Sequence, residues 1–420
     1  MSDTHAGATA PGSPTPPASD QPRTPIAKVV AGSMLGTTVE WYDYFLYGVA
    51  AALVFPAVFF PESDGATGTL LSLGTFAVGF IARPVGGLVF GHYGDKIGRK
   101  KLLVLSLMMM GASTFAIGLL PAYATIGIAA PLLLVVLRLV QGFALGGEWG
   151  GAVLIVSEHG KPEHRGFWAS WPQAGAPAGQ LLANGLLAIM ALVQSEEAFL
   201  AWGWRIPFLL SAVLVLIGLY VRLAVEESPV FREAQARAAA RAAAGEKDTM
   251  PILDVLRLYP REVLTAMGAR FAENVSYYIF TIVISTYVKE QFGLPSSFVL
   301  GAVLIGAAVH LVTTPMWGAV SDRVGRKPVY LAGAIGAPLF LGAFFLLLDT
   351  GNTVLVVVGM VVLVNLFHDA MYGPQAAWYG ELFDTRLRYS GASLGYQIGS
   401  VIGGTTPLVA TALLYAGGGT

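Results

Sequence analysis

The chain has 420 residues, 55% hydrophobic and 12% charged, with a net charge of −1 and a mean hydropathy of +0.64. Soluble domains carry about 25% charged residues, so this composition excludes a water-soluble protein and points to one embedded in a bilayer. The absence of cysteine excludes disulfides, thiolate metal sites and cysteine nucleophiles.

Residues 1–27 are rich in Pro, Ser, Thr and Ala, cannot bury apolar area, and read as a disordered tail rather than a signal peptide. A membrane span needs about 20 mostly apolar residues. By that measure eleven spans follow, near 29–60, 67–90, 102–120, 127–156, 167–193, 205–223, 263–288, 297–317, 329–348, 353–377 and 390–415. Lys and Arg gather in alternate loops, around Lys96 to Lys101, Lys161 and Arg165, 226–261, Arg323 to Lys327, and Arg386 with Arg388. The positive-inside rule places those loops and the N-terminus in the cytoplasm. The longest loop, about 224–262, contains an Ala-rich stretch from Glu233 that favours a surface helix.

Two elements occur twice. Gly91, Gly94, Asp95, Gly98 and Arg99 form a charged turn between the second and third spans, and Gly318, Asp322, Gly325 and Arg326 repeat it 227 residues later. Glu158, Arg165 and Ser170 recur 223 residues on as Glu381, Arg388 and Ser393. The chain is therefore expected to divide into a six-helix bundle over 28–223, a linker over 224–262 and a second bundle over 263–420. By the repeat, that second bundle is one helix short of six.

Several longer patterns carry a family resemblance. They are Val39 to Asp43, Ala82 to Gly86, Arg138 to Gly142 running into Gly146 to Trp149, Trp202 to Phe208, and Glu227 to Phe231. With the duplicated turn, they make the chain resemble the major facilitator superfamily, and within it the metabolite:proton symporters. The resemblance implies an all-α fold of two six-helix halves, with a substrate site between them near the membrane midplane. It also implies a bacterial inner-membrane importer of a small polar metabolite driven by protons, working as a monomer without cofactor, metal or nucleic acid. An organic acid of the shikimate or di- or tricarboxylate type is the expected substrate. A proline- or betaine-type zwitterion and a passive facilitator on the same fold are the alternatives.

Charges inside spans are the main pointers to chemistry, since each costs at least about 2.5–3.5 kcal/mol at the membrane centre. Glu40 and Asp43 lie three apart on the first span, and Arg138 on the fourth reaches a similar depth from the other side, with Gln141 one turn on and Glu148 deeper. An acid beside an arginine can change protonation when the arginine moves or takes an anion. Asp43 is thus the expected proton carrier, with Glu40, Arg138 and Glu148 in the same set; a static ion-pair network is the competing reading. Arg83, Tyr42, Gln141, Trp171, Gln173, Arg270, Glu273, Asn274, Tyr278 and Gln397 are the expected substrate contacts, with Arg138 as a carboxylate ligand. Arg270 and Glu273 could equally pair within their own helix. His310 is expected to be a hydrogen-bonded packing residue, while His368 and Asp369 fall late in the tenth span and rank below the others.

Gly91, Asp95, Arg99, Glu158, Arg165, Asp322, Arg326, Glu381 and Arg388 form the expected cytoplasmic latch between the halves, against a reading as merely topological basic loops. The G-x-S-x-G pattern from Gly391 to Gly395 raises a membrane serine hydrolase. Such a serine needs a strand–turn–helix setting, whereas Ser393 opens an apolar helix, so no enzyme is expected.

Overall fold

The computed structural model describes residues 25–97, 99–146, 149, 153–154, 156–157, 160–224, 251–284, 287–288, 296–384 and 387–417. Among them all regular structure is helical, joined by short loops, without strands. The first half contains α1 (Ile26–Leu53), α2 (Gly65–Ile97), α3 (Arg99–Leu119), α4 (Ala129–Gly146), α5 (Arg165–Val193) and α6 (Arg205–Ala224). A short α7 (Pro251–Leu258) leads into α8 (Pro260–Tyr278), α9 (Ser296–Val324) and α10 (Arg326–Asp349). Next, α11 (Thr353–Val362) passes through a wide π-turn, Leu363–His368, into α12 (Asp369–Glu381). The last described helices are α13 (Arg388–Gly404) and α14 (Thr406–Ala416). The Ala-rich stretch from Glu233 and the tail before Pro25 lie outside the described residues.

Among the described residues seven stretches are long and apolar enough to cross a bilayer, and Glu196–Gly203 with Arg205–Tyr220, bent by 43°, makes an eighth if the pair is one span. The remaining expected spans are α1, α3 and α8. Two of these owe their lower hydropathy to buried charge: α1 holds Glu40 and Asp43, and α8 holds Arg270 and Glu273. Outward-facing leucines such as Leu192, Leu339 and Leu346 are each more than two-thirds exposed, as suits a lipid-facing belt.

The repeated turn is shorter than the sequence suggests. In the second copy α9 continues through Asp322 to Val324, and α10 starts at Arg326, leaving Gly325 alone as the loop. Gly325 has φ +101°, a conformation that side-chain-bearing residues rarely adopt. Basic residues at a helix C-terminus favour its extension to that point.

Within the first half α1 runs along α5, and α2 along α4; in the second, α8 runs along α13. α2 and α4 meet backbone to backbone: a Cβ on Gly142 would overlap the carbonyl oxygen of Gly79, and one on Gly146 that of Arg83. The halves join where α5 crosses α9 and where α2 meets α13. The main core is an aromatic cluster that includes Tyr44, Tyr47, Phe76, Phe80 and, from the other half, Tyr277 and Tyr278.

Candidate functional site

The buried polar residues of α1, α2 and α4 converge. Glu40, Asp43, Tyr44 and Tyr47 follow at helical three- and four-residue spacing, so they share the face of α1 turned inward. A small cavity, with room for about one water molecule, lies between Asp43, Tyr44, Arg83, Arg138 and Gln141. Arg138 donates through Nη1 to Gln141 Oε1 (3.1 Å) and through Nε to the Phe76 carbonyl (3.4 Å). Its guanidinium lies over the rings of Tyr47 (4.3 Å), Phe76 (4.8 Å) and Tyr44 (5.3 Å). Gln141 in turn donates to Thr114 Oγ1 at 2.8 Å.

Asp43 differs from its neighbours. Its side chain is 1% exposed, and neither carboxylate oxygen has a partner at hydrogen-bond geometry among the described residues; the Thr114 hydroxyl stands near it but donates to the Met110 carbonyl (3.0 Å). Asp43 and Arg138 therefore face one cavity without the direct ion pair that their sequence positions suggested. Glu40 is buried on the same face, and Glu148 lies outside the described residues.

Arg83 reaches across to the other half, where its Nε donates to Gln397 Oε1 (3.0 Å) and Gln397 Nε2 donates to the Gly146 carbonyl (2.7 Å). Arg270 forms an ion pair with Glu273 on its own helix, and also donates to Ser400 (3.0 Å) and Gln375 (3.2 Å). Its guanidinium sits 3.9 Å over the ring of Tyr396, whose other face stacks on Trp149 with 3.8 Å between ring centres. Asn274 is buried with Nδ2 unpartnered among the described residues, and the Tyr278 hydroxyl bonds that of Tyr44 across the halves. Gln173 bridges them too, donating to the Tyr372 carbonyl (3.2 Å) and accepting from Trp149 (3.0 Å).

Two expected wall residues lie elsewhere. Tyr42 is one position off the inward face, and its hydroxyl donates to the Pro207 carbonyl of α6 at 2.7 Å. Trp171 packs with Val29, Val30 and Val156 toward the basic-loop end. His368 and Asp369 lie midway along the α11–α12 span rather than near its end, and His310 bonds Asp369 instead of standing alone. The missed signal is a polar stripe at helical spacing: Asn365, His368 with Asp369, Tyr372 and Gln375.

At the basic-loop end, Asp322 accepts the backbone N–H groups of Gly166 (2.8 Å) and Phe167 (2.9 Å) and bonds Arg326 Nη1 (2.7 Å). An acid of the second half thus caps the N-terminus of a first-half helix. Arg326 also holds Glu381 at 3.0 Å, and Arg165 approaches Glu381 at 3.9 Å. Arg388 bonds the Phe383 carbonyl (3.4 Å). The side chains of Asp95, Arg99 and Glu158, and the surroundings of Gly91, lie outside the described residues.

The family model described as "Sugar (and other) transporter" matches residues 29–419. The chain belongs to this transporter family, within the major facilitator superfamily. The shikimate transporter of Escherichia coli K12 is 42% identical to this transporter over 388 residues, covering 92% of the chain and 87% of the relative. The Salmonella typhimurium proline/betaine transporter is 35% identical over 394 residues, covering 93% and 78%. The proton:xylose symporter XylE superimposes with a TM-score of 0.69 at 17% identity, covering 93% and 95% of the two chains, which shows the fold. The protein is therefore a multi-pass membrane transporter of small molecules, not an enzyme. Ser393 accordingly lies inside α13, away from any strand–turn elbow.

Proposed function

We propose that this transporter imports a small organic anion together with a proton, by alternating access across a bacterial inner membrane, with the basic loops and N-terminus in the cytoplasm. The observation that carries this reading is Asp43: a buried carboxyl without a donor, beside a cavity that Arg138 and Arg83 also line. Leaving an ionised carboxylate unpaired in such a place is costly, so this is where a proton is taken up. Arg138 and Arg83, neither paired with a carboxylate among the described residues, favour an anionic substrate. The 42% identity to a shikimate transporter supports an organic acid.

Proline or betaine is the second reading, supported by relatives of 35% identity or slightly below. A quaternary ammonium would need an open aromatic cage. The rings of Tyr44, Tyr47 and Phe76 are already occupied by the Arg138 guanidinium, which weighs against that substrate.

Uptake of radiolabelled shikimate, a dicarboxylate, a tricarboxylate and proline into proteoliposomes, with and without an inward proton gradient, tests the proposal. Uptake indifferent to the gradient sinks symport and leaves a facilitator. Asp43→Asn is expected to retain exchange of labelled for unlabelled substrate and to lose gradient-driven accumulation. If it accumulates substrate like the parent, the assignment of Asp43 fails.

A further inference from the structure

The second half holds a buried group of ionisable side chains that the coupling through Asp43 does not use. His310, His368, Asp369 and Glu273 have side chains no more than 3% exposed. Three nitrogen–oxygen contacts run through them in a row. His310 Nδ1 is 2.5 Å from Asp369 Oδ1, His368 Nδ1 is 3.2 Å from the same oxygen, and His368 Nε2 is 2.8 Å from Glu273 Oε1. Arg270, paired with Glu273, brings a fixed positive charge to one end.

A ring nitrogen and a carboxylate oxygen approach this closely only with a hydrogen between them. Three contacts need three hydrogens. Two neutral imidazoles supply two, and ionised carboxylates supply none. The cluster therefore holds one proton more than a pair of neutral histidines carries. With it, the charges of Arg270, Glu273, Asp369 and the histidine pair sum to zero, which low-dielectric surroundings favour.

The geometry points to a second proton-binding site, centred on His368 between Glu273 and Asp369, in the half of the molecule that does not contain Asp43. The ionisable groups facing it from the packed helices are Arg270, Glu273, Tyr277 and Tyr278 on α8, His310 on α9, Tyr330 on α10, Asp369, Tyr372 and Tyr379 on α12, and Tyr396 on α13. With the proton bound, His368 ties α8 to α12. Without it the ring has one N–H for two carboxylates, and one contact becomes repulsive. Tyr277 on α8 also donates to Gln180 of α5 (2.6 Å), and Tyr278 touches Tyr44, so loosening α8 is felt at the seam between the halves.

A metal ion fits this arrangement poorly. Two ligands of a tetrahedral zinc with bonds of 2.0–2.1 Å stand roughly 3.3 Å apart, whereas His310 Nδ1 and Asp369 Oδ1 are 2.5 Å apart.

Histidine-selective 15N labelling of the full chain in lipid nanodiscs tests the site. His310→Gln and His368→Gln assign the two signals among six histidines. Both ring nitrogens of His368 are expected to be protonated at pH 7, with one proton lost in a single step as the pH rises. In Asp369→Asn, where one carboxylate is gone, His368 is expected to be neutral at pH 7. If that variant does not fold, Glu273→Gln gives the same expectation from the other side of the ring. A bare ring nitrogen on His368 at pH 7 in the parent overturns the proposal, as do signals that move when a chelator is added. The readout needs no transport. Gradient-independent uptake would therefore sink the Asp43 reading alone, and a neutral His368 would sink this site alone.

Discussion

The contact between Asp322 and the first turn of α5 can be perturbed almost isosterically by Asp322→Asn. The aspartate accepts two backbone N–H groups and an arginine N–H at 2.7–2.9 Å, and its side chain is 4% exposed. Asparagine keeps one acceptor oxygen, loses the charge and turns an NH2 toward α5. A hydrogen bond to a charged group is worth about 1.5–3 kcal/mol, and a charge at a helix N-terminus adds about 0.3–1 kcal/mol. A net loss of about 2–3 kcal/mol in the state closed at this end follows, or roughly a 30- to 150-fold rise in the open fraction. The chain has no cysteine, so a single Ser170→Cys reports alone. Ser170 is fully buried, and its hydroxyl lies next to Gly318 of the other half. Alkylation by a membrane-impermeant maleimide added to inside-out vesicles should accelerate by at least tenfold in the Asp322→Asn background. A rate within threefold of the parent would show that the Asp322 contact contributes nothing to closure at this end.

The same reporter is expected to give the opposite sign for the contact between Tyr44 and Tyr278, deeper along the seam between the halves. Tyr44→Phe removes the hydroxyl contact with Tyr278, worth about 1 kcal/mol, and should slow Ser170→Cys alkylation several-fold. Gly142→Ala drives a methyl group into the Gly79 backbone, where no side chain can yield, and should cost about 1–3 kcal/mol or more, read as a lower melting temperature. Gly185→Ala has open space and should be neutral or slightly stabilising in the same assay. At the start of α2, hydrogen bonds from Thr67 hold the Asp64 carboxyl below the usual aspartate range. Its contribution is present above the unfolded-state value and is lost as the pH falls through the lowered one. The melting curves of the parent and Asp64→Ala should therefore differ at neutral pH and converge in strong acid.

The fold was legible because its signals are local. Apolar length, alternate basic loops and a duplicated glycine–acid–base pattern each survive without knowledge of neighbours, and together they give two related helical halves. The inward face of α1 was readable too, since Glu40, Asp43, Tyr44 and Tyr47 share one side, and the same spacing excludes Tyr42 from it. What sequence could not supply was the identity of partners. Asp322 is answered by backbone N–H groups of α5, which have no residue signature. His310 looked solitary because its partner lies 59 positions away on another helix. Arg138 suggested an ion pair, but its guanidinium is held by rings and amides, and only coordinates could show the gap left beside Asp43.

The contacts that α5 makes with the other half have a mechanical implication. Gly166, Gln173 and Gln180 touch that half at seven-residue intervals, two turns or about 10 Å apart each. Pro172 lies between the first pair and Pro177 between the second. Each proline deletes a backbone hydrogen bond of the helix, leaving a soft joint between successive fastenings. α5 is thus able to bend away at Gly166 while its contacts at Gln173 and Gln180 stay engaged. A seam that gives way at one height while the next stays fastened lets one end of the contact between the halves part without freeing the other, and that is the mechanical condition for moving a solute without opening a pore.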